Sequence, residues 1–245
     1  MLIRKLTWII PYYCNAPMLR LHMENLASYP AEFLANLRVI YVDDGSPEPE
    51  RPDRILRGAP SNVKPSLVLY RIKVDIPWNW HGARNLGAKK ADSFWLLLTD
   101  MDRIFMARDA QRLMTRKLDR AKYYKPTGVD VVGQGQFKLG KLPINQLVCS
   151  REQYWHVGGY DEDYAGAYSG DKQFLDALGK FYPREVMEDV RLFRYTNAIL
   201  PGSETVGLSR QEGLVEFRKR HARKVQEGRT TPINPIRFPW MRVEL

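Results

Sequence analysis

The sequence predicts an α/β fold, with a mostly parallel mixed sheet flanked by helices and a basic carboxyl-terminal tail. Three observations predict it. Short apolar runs alternate with helical patterns through the first hundred residues, the signature of a doubly wound sheet. Two of those runs end in close pairs of carboxylates, Asp43-Asp44 and Asp100-Met101-Asp102. A chain of 245 residues with 44% hydrophobic content can bury a large core and is most simply one domain.

The elements follow in order. Residues 6–10 form an apolar run closed by Pro11, which reads as a first buried strand. Asn15 caps a helix whose apolar positions Leu19, Met23 and Leu26 recur at helical spacing. Residues 39–42 are a second strand running into Asp43-Asp44-Gly45-Ser46, and a Pro, Glu and Arg-rich loop over 47–65 leads to a third at 67–70. Residues 82–91 read as a helix packed by small residues, ahead of the strand that carries Asp100 and Asp102. Beyond it, helices are expected at 107–121 and 172–178 and a strand at 146–149, followed by a basic helical stretch through about residue 224 and an extended proline-rich tail.

The formal net charge of +10 points to an anionic partner without choosing among nucleotide, nucleic acid, anionic polymer and membrane surface. One dense basic stretch runs from Arg103 through Arg112, Arg116 and Lys122 to Lys125, and a second from Arg218 through Arg220, Arg223 and Lys224 to Arg229. Solvated helix faces explain either one equally well. Cys14 and Cys149 have no disulfide framework or metal-ligand spacing, so reduced thiols are expected. No run approaches a membrane span and the amino terminus enters a strand pattern at once, so the expected location is cytoplasmic.

Residues i and i+2 of a strand share a face, so the run Leu96-Leu97-Leu98-Thr99 delivers Asp100 and Asp102 together. At the carboxyl end of a strand in an open sheet that face meets the ligand crevice. Two hard oxygen ligands there suit Mn²⁺ or Mg²⁺ holding a diphosphate. The same tripeptide is also a good turn and helix-start sequence.

Pro11-Tyr12-Tyr13, Asp43-Asp44-Gly45-Ser46, Ala83-Arg84-Asn85-Leu86-Gly87 and Asp100-Met101-Asp102 follow one another in that order. The set resembles the nucleotide-sugar half of GT-A glycosyltransferases, particularly glycosyltransferase family 2. The resemblance implies a single Rossmann-like catalytic domain over 1–245. Residues 1–103 would be its donor half, 104–208 its acceptor half, and 209–245 a segment completing a metal site. It assigns donor binding to Pro11, Tyr12, Asp43, Asp44, Arg84 and Asp100, with a mild preference for uridine. A carboxylate at the tip of the second strand can accept from a uracil N–H or ribose hydroxyls, Gly45 permits the turn beside it, and Arg84 offers a charged fork to the diphosphate or base. Gly87 lets its helix lie close to the sheet.

Further on, Cys149-Ser150-Arg151-Glu152-Gln153-Tyr154-Trp155, Gly158-Gly159-Tyr160 and the stretch from Asp163 to Asp171 resemble the acceptor segment of the β-1,4-galactosyltransferases. There the pattern Asn-Tyr-Trp-Gly-Trp-Gly-Gly-Glu-Asp ends in the general base, which places that role on Asp171. Tyr164 and Gly166 match, whereas the Trp positions are Ala165 and Ala167 and the Glu is Gly170. The groups that would stack on a small sugar acceptor are therefore absent, and that acceptor does not transfer. Asp161 and Glu162 are fallback bases, with Tyr164 and Tyr168 on the acceptor side. Arg220-His221-Ala222-Arg223-Lys224 and Asn234-Pro235-Ile236-Arg237-Phe238 resemble the same family's metal-ligand segment, which makes His221 a third protein ligand beside Asp102. His81 receives no role, and Trp78, Trp80 and Trp155 read as packing.

The resemblance implies a metal-dependent, inverting transfer of a sugar from a nucleoside diphosphate to an acceptor hydroxyl. A hydroxylated base in DNA and an anionic glycan both fit the charge. Two other classes stay open. A sugar-phosphate nucleotidyltransferase should carry a Gly-rich basic loop after its first strand, where Pro11-Tyr12-Tyr13-Cys14-Asn15 stands instead. A non-catalytic nucleic-acid-binding protein would leave the ordered carboxylates idle.

Overall fold

The computed structural model describes residues 3–133, 135–140, 142–143, 145–204, 209–229, 232 and 235–245. Its core is organised by β1 (Leu6–Tyr12), whose side chains alternate between two faces. Leu6, Trp8, Ile10 and Tyr12 enter one apolar cluster and Ile9 enters another. α1 (Ala16–Ala27) covers the first face with Met18, Leu19, Met23 and Leu26, a helical stripe. It begins at Asn15, whose Oδ1 accepts from the Met18 amide at 3.3 Å. α2 (Ala31–Ala35), β2 (Leu37–Asp43), α3 (Asp53–Arg57) and β3 (Leu67–Ile72) follow. α4 (Trp80–Lys90) lies on the opposite face. There Gly87 sits so close to the Ile9 side chain that a Cβ would collide with it. β4 (Trp95–Leu98) completes the alternation, sending Trp95 and Leu97 to one cluster and Leu96 and Leu98 to the other.

These strands pair in parallel in the order β3-β2-β1-β4. The chain moves outward from β1 to β2 and β3, then returns to the other side of β1 for β4. That reversal leaves a crevice beyond the carboxyl ends of β1 and β4. Asp100 and Asp102 stand at its edge. The strand itself stops at Leu98, however, and the carboxylates occupy the turn that follows. Their proximity to the crevice therefore comes from the turn and not from a shared strand face.

The second half extends the sheet in mixed sense. β5 (Arg103–Ile104), α5 (Ala107–Thr115), β6 (Tyr123–Gly133), β7 (Gln136–Leu139) and β8 (Leu147–Ser150) come first. α6 (Arg151–His156), α7 (Asp171–Phe181), β9 (Arg184–Arg194), α8 (Arg210–Gln226) and β10 (Trp240–Val243) complete the described elements. β8 joins antiparallel to β4 and to β6, whereas β6 and β9 run parallel. The helix expected over 107–121 ends at Thr115, because Arg116 turns extended and starts the return toward β6. β6 and β9 were not expected, and the tail is more than extended: β10 pairs antiparallel with β3 and closes that edge of the sheet. Among the described residues no helix is long and apolar enough to cross a membrane.

Candidate active site

A cleft of about 350 Å³ opens at the switch point, lined by Pro11, Tyr12 and Asp44 on one side and by Asp100, Asp102 and Asp171 on the other. Trp78, Tyr168 and Arg210 form part of its rim. The Trp78 and Tyr168 rings meet edge to face with centroids 4.9 Å apart, and the Arg210 guanidinium lies over Tyr168 at 5.5 Å. The size falls within the usual range for small-molecule sites.

Arg84 organises this cleft from behind. Its side chain is fully buried, lies 4.7 Å from the Trp80 ring centroid, and does not itself line the cleft. Nη1 donates to Asp171 Oδ1 at 2.9 Å and to the Tyr160 hydroxyl at 3.0 Å, while Nη2 donates to Asp100 Oδ1 at 2.5 Å. The sequence assigned this guanidinium to the diphosphate or base of the donor. In the structure its fork is engaged by two carboxylates 71 residues apart, so it acts on the site by holding Asp100 and Asp171. Those partners push its pKa up despite burial.

Asp171 begins α7 and lines the cleft. Burial pushes its pKa up to about 6, with the Asp100 charge adding to the rise while Arg84 and Lys125 oppose it. A carboxylate in that range is ionised at neutral pH yet basic enough to accept a proton. The loop before it is set by a residue that the sequence left without a role. His81 is fully buried and stacks on Trp80, and its Nε2 donates to the Ser169 carbonyl at 2.7 Å. Burial holds the imidazole neutral, with its pKa down to about 3. A Cβ on Gly170, which has φ +120°, would collide with this ring. The glycine in place of the Glu of the resembling pattern thus has a packing cause.

Asp102 lines the same cleft as Asp100. Burial pushes its pKa up to about 7, Arg103 and Arg194 pull it down, and the neighbouring Asp100 and Glu204 charges raise it. Its Oδ1 has no hydrogen-bond partner among the described residues, and Arg103 Nε stands 3.5 Å away. Asp100 Oδ2 accepts from Asn145. Two carboxylates beside an open cleft fit a divalent ion that completes its shell with diphosphate oxygens and water. His221 does not join them. It is exposed on α8, hydrogen-bonds the Tyr164 hydroxyl at 2.9 Å through Nδ1, stacks on Phe217, and is absent from the cleft lining. Among the described residues no three His, Cys, Asp or Glu side chains are grouped to hold a metal. The matching neighbours of His221 fixed its local sequence but not the face of α8 on which it lies. Asn234 of the accompanying motif lies outside the described residues.

The donor-side acids divide in the same way. Asp43 is buried, accepts from the Ser46 amide at 3.0 Å and from Arg71 Nε at 2.6 Å, and anchors the turn without lining the cleft. Asp44 faces the cleft, and its Oδ1 has no partner among the described residues. Its pKa is driven well above the carboxylate range by burial, then by Asp43 and Asp75. Tyr12 contributes a cleft wall while its hydroxyl donates to the Glu50 carbonyl at 2.8 Å.

Of the acceptor-side residues, Tyr168 alone lines the cleft among Asp161, Glu162, Tyr164 and Tyr168. Glu162 is buried and accepts from Asn85 Nδ2 at 2.8 Å and from the Arg237 amide at 3.0 Å, fastening the carboxyl-terminal segment to the core. Asp161 is paired with buried Lys224, which also donates to Asp163 at 2.9 Å. Tyr164 packs on Phe217. Neither fallback base is free to reach an acceptor in this arrangement. Some cations of the two dense basic stretches are engaged in intramolecular pairs. Arg116 pairs with Asp189 at 2.7 Å, Lys122 with Glu185 at 2.9 Å and Arg220 with Glu216 at 2.7 Å. The thiols of Cys14 and Cys149 are unbonded to one another.

Asn145, Glu204 and Arg210 were missed by the sequence reading, although all line the cleft. No local pattern marks them, since each acquires its position through long-range folding.

The profile of glycosyl transferase family 2 matches residues 7–166, ending just before Asp171. No curated protein matches the chain in sequence. Among solved structures, it is similar to the mannosyltransferase PcManGT from Pyrobaculum calidifontis in complex with GDP-Man and Mn²⁺, with TM-score 0.58 and 18% identity over 90% of this chain and 61% of that one. It is also similar to GalNAc-T7 with UDP, GalNAc and Mn²⁺, with TM-score 0.59 and 13% identity over 78% and 44% of the two chains. A third likeness is to S. aureus TarS 1–349 with UDP-GlcNAc, with TM-score 0.57 and 15% identity over 89% and 72%. The chain thus spans 61% and 44% of the first two of these structures, and the likeness establishes the GT-A fold. With a crevice at the switch point, carboxylates after β4 and a family profile covering most of its length, the chain belongs to glycosyl transferase family 2.

Proposed function

We propose that this protein transfers a sugar from a nucleoside-diphosphate sugar, preferentially a UDP sugar, to an acceptor hydroxyl with inversion at the anomeric carbon. The observation that carries the reading is the Arg84 clamp. One buried guanidinium holds Asp100, on the side of the turn after β4, and Asp171, at the start of α7, on a common cleft. Pro11, Tyr12 and Asp44 form the nucleotide side. The unpartnered Asp44 oxygen suits a base N–H or a ribose hydroxyl, and Asp43 supports it by fixing the turn. Mn²⁺ or Mg²⁺, held by Asp102 with Asp100 nearby, would neutralise charge on the departing diphosphate; His221 would join only if α8 rearranged.

In the transfer itself, Asp171 takes the proton from the acceptor hydroxyl as its oxygen bonds to C1. The C1–O bond to the diphosphate breaks on the opposite face and its electron pair leaves with the diphosphate. Attack from the far side inverts the centre. Arg84 keeps Asp171 in line, an orientation effect with a large share in the rate. Ala165 and Ala167 leave no aromatic wall for a small neutral acceptor. An anionic glycan fits better than a hydroxylated base in duplex DNA, because several cations of the dense basic stretches are engaged in intramolecular pairs and because a duplex base must first be flipped.

The test is release of free nucleoside diphosphate from a panel of nucleotide sugars with Mn²⁺, with and without acceptor. UDP sugars should be hydrolysed slowly, and Asp171→Asn should lower acceptor-dependent transfer about 10²–10⁴-fold while retaining donor binding. Full transfer by Asp171→Asn would remove the base assignment, and no turnover of any nucleotide sugar would remove the function.

A further inference from the structure

A second cavity, of about 660 Å³, opens beside the cleft and is lined in part by Lys125 of β6, Lys172 and Lys180 of α7, and Arg184 of β9. Lys172, the neighbour of Asp171 in sequence, lines both spaces. The second cavity therefore adjoins the place where the base meets the acceptor. At its inner end Lys125 is 2% exposed, which is rare for lysine. Burial drives its ammonium down to about 7, with the nearby Asp171 charge opposing the fall. Asp176 is the acidic group in the described lining and pairs with Lys172 at 2.5 Å. Cations from three separate elements thus converge on one concavity that holds a single carboxylate among its described lining residues. Such an arrangement favours an anion whose oxygens spread in several directions. A phosphate ester meets that description better than a planar carboxylate, which pairs best with one guanidinium fork. Leu175 supplies an apolar wall for the carbon skeleton next to the charge.

We infer that this second cavity is an acceptor subsite for a phosphate ester on a sugar or polyol, seated so that a neighbouring hydroxyl reaches Asp171. The inference rests on the glycosyl-transfer reading. Lys172, Lys180 and Arg184 receive the phosphate oxygens, and an anion bound above Lys125 favours the charged form of its amine. Duplex DNA is the competing occupant, and the test separates it.

Calorimetric titration with ribose 5-phosphate and sn-glycerol 3-phosphate should show binding to the wild-type protein, with ribose and glycerol binding at least tenfold more weakly. Lys180→Ala with Arg184→Ala should weaken the phosphorylated probes at least tenfold. Both side chains are exposed, so the fold should tolerate the change, checked by an unaltered melting temperature. With donor and Mn²⁺ present, the ratio of kcat/KM for phosphorylated over neutral acceptor should drop by the same factor in the double variant. Equal use of both acceptor types, or equal binding of the phosphorylated probes by wild type and variant, overturns the subsite. A DNA oligonucleotide that outcompetes ribose 5-phosphate equally in both proteins overturns it in favour of nucleic acid. Failure to turn over any nucleotide sugar, alongside normal binding of the phosphate esters, is instead a failure of the transfer reading.

Discussion

Arg84 ties together two carboxylates whose roles differ. Asp171 must be a base, and at neutral pH it is one because its pKa, pushed up to about 6 by burial, still lies below the working pH. As pH falls through that value the carboxylate takes a proton and can accept none from the acceptor. Transfer is therefore expected to show an acid limb near pH 6 in kcat/KM, above the ordinary aspartate range, and a limb near pH 4 would contradict it. The Arg84 charge lowers the Asp171 pKa, so weakening that contact should move the limb upward. Arg84→Lys replaces a planar fork with a point charge that cannot serve Asp100, Asp171 and Tyr160 together. Its kcat should fall on the order of tenfold to a hundredfold and its acid limb should shift to higher pH. Loss of donor affinity with an unmoved limb would instead return the guanidinium to the diphosphate. The residue type and its motif were legible in the sequence. Its partners were not, since Asp171 lies 87 residues away and only the fold brings it near.

At the scale of elements, legibility follows burial pattern. β1, β2, β3 and β4 lie among apolar neighbours on both faces, so each shows as a continuous run. β6 and β9 are broken by charges, Lys125 in one and Glu188, Asp189 and Arg191 in the other, and periodicity alone does not reveal them. α8 shows the converse failure: its sequence reads correctly as a basic helix, yet a local match cannot say that His221 turns to Phe217 and the Tyr164 hydroxyl and not into the cleft. The contact between α4 and β1 was foreseen at Gly87 and can be tested. A methyl added there meets Ile9, and overpacking of this kind costs about 1–3 kcal/mol. Gly87→Ala should lower the urea midpoint accordingly. Combined with Ile9→Ala the two losses should sum to less than their separate values, because the groups share one space. Strict additivity would show that the helix and strand are not in contact there.

For the whole molecule, a formal charge of +10 coexists with extensive internal pairing. Lys224 bridges to Asp161 and Asp163, Arg237 reaches Asp163 at 2.8 Å, and Arg71 holds Asp43. The Lys224 and Arg237 contacts fasten the carboxyl-terminal segment onto the loop that leads to Asp171, so part of the basic tail serves architecture. The distinction has a measurable consequence. A surface built for duplex DNA contacts about 6–10 phosphates and loses affinity steeply with salt, with a log–log slope of about −0.9 per contact. Here the second cavity offers Lys125, Lys172, Lys180 and Arg184, of which buried Lys125 cannot reach a duplex backbone. Binding of a short duplex is accordingly expected to be weak, with a slope no steeper than about −3. The slope should also be reduced in Lys180→Ala with Arg184→Ala, since both cations are exposed to a backbone phosphate. A slope beyond about −6 that is unchanged in the double variant would mean that a broad basic face binds the duplex. In that case the acceptor would be nucleic acid, held by the basic stretches and not by the cavity.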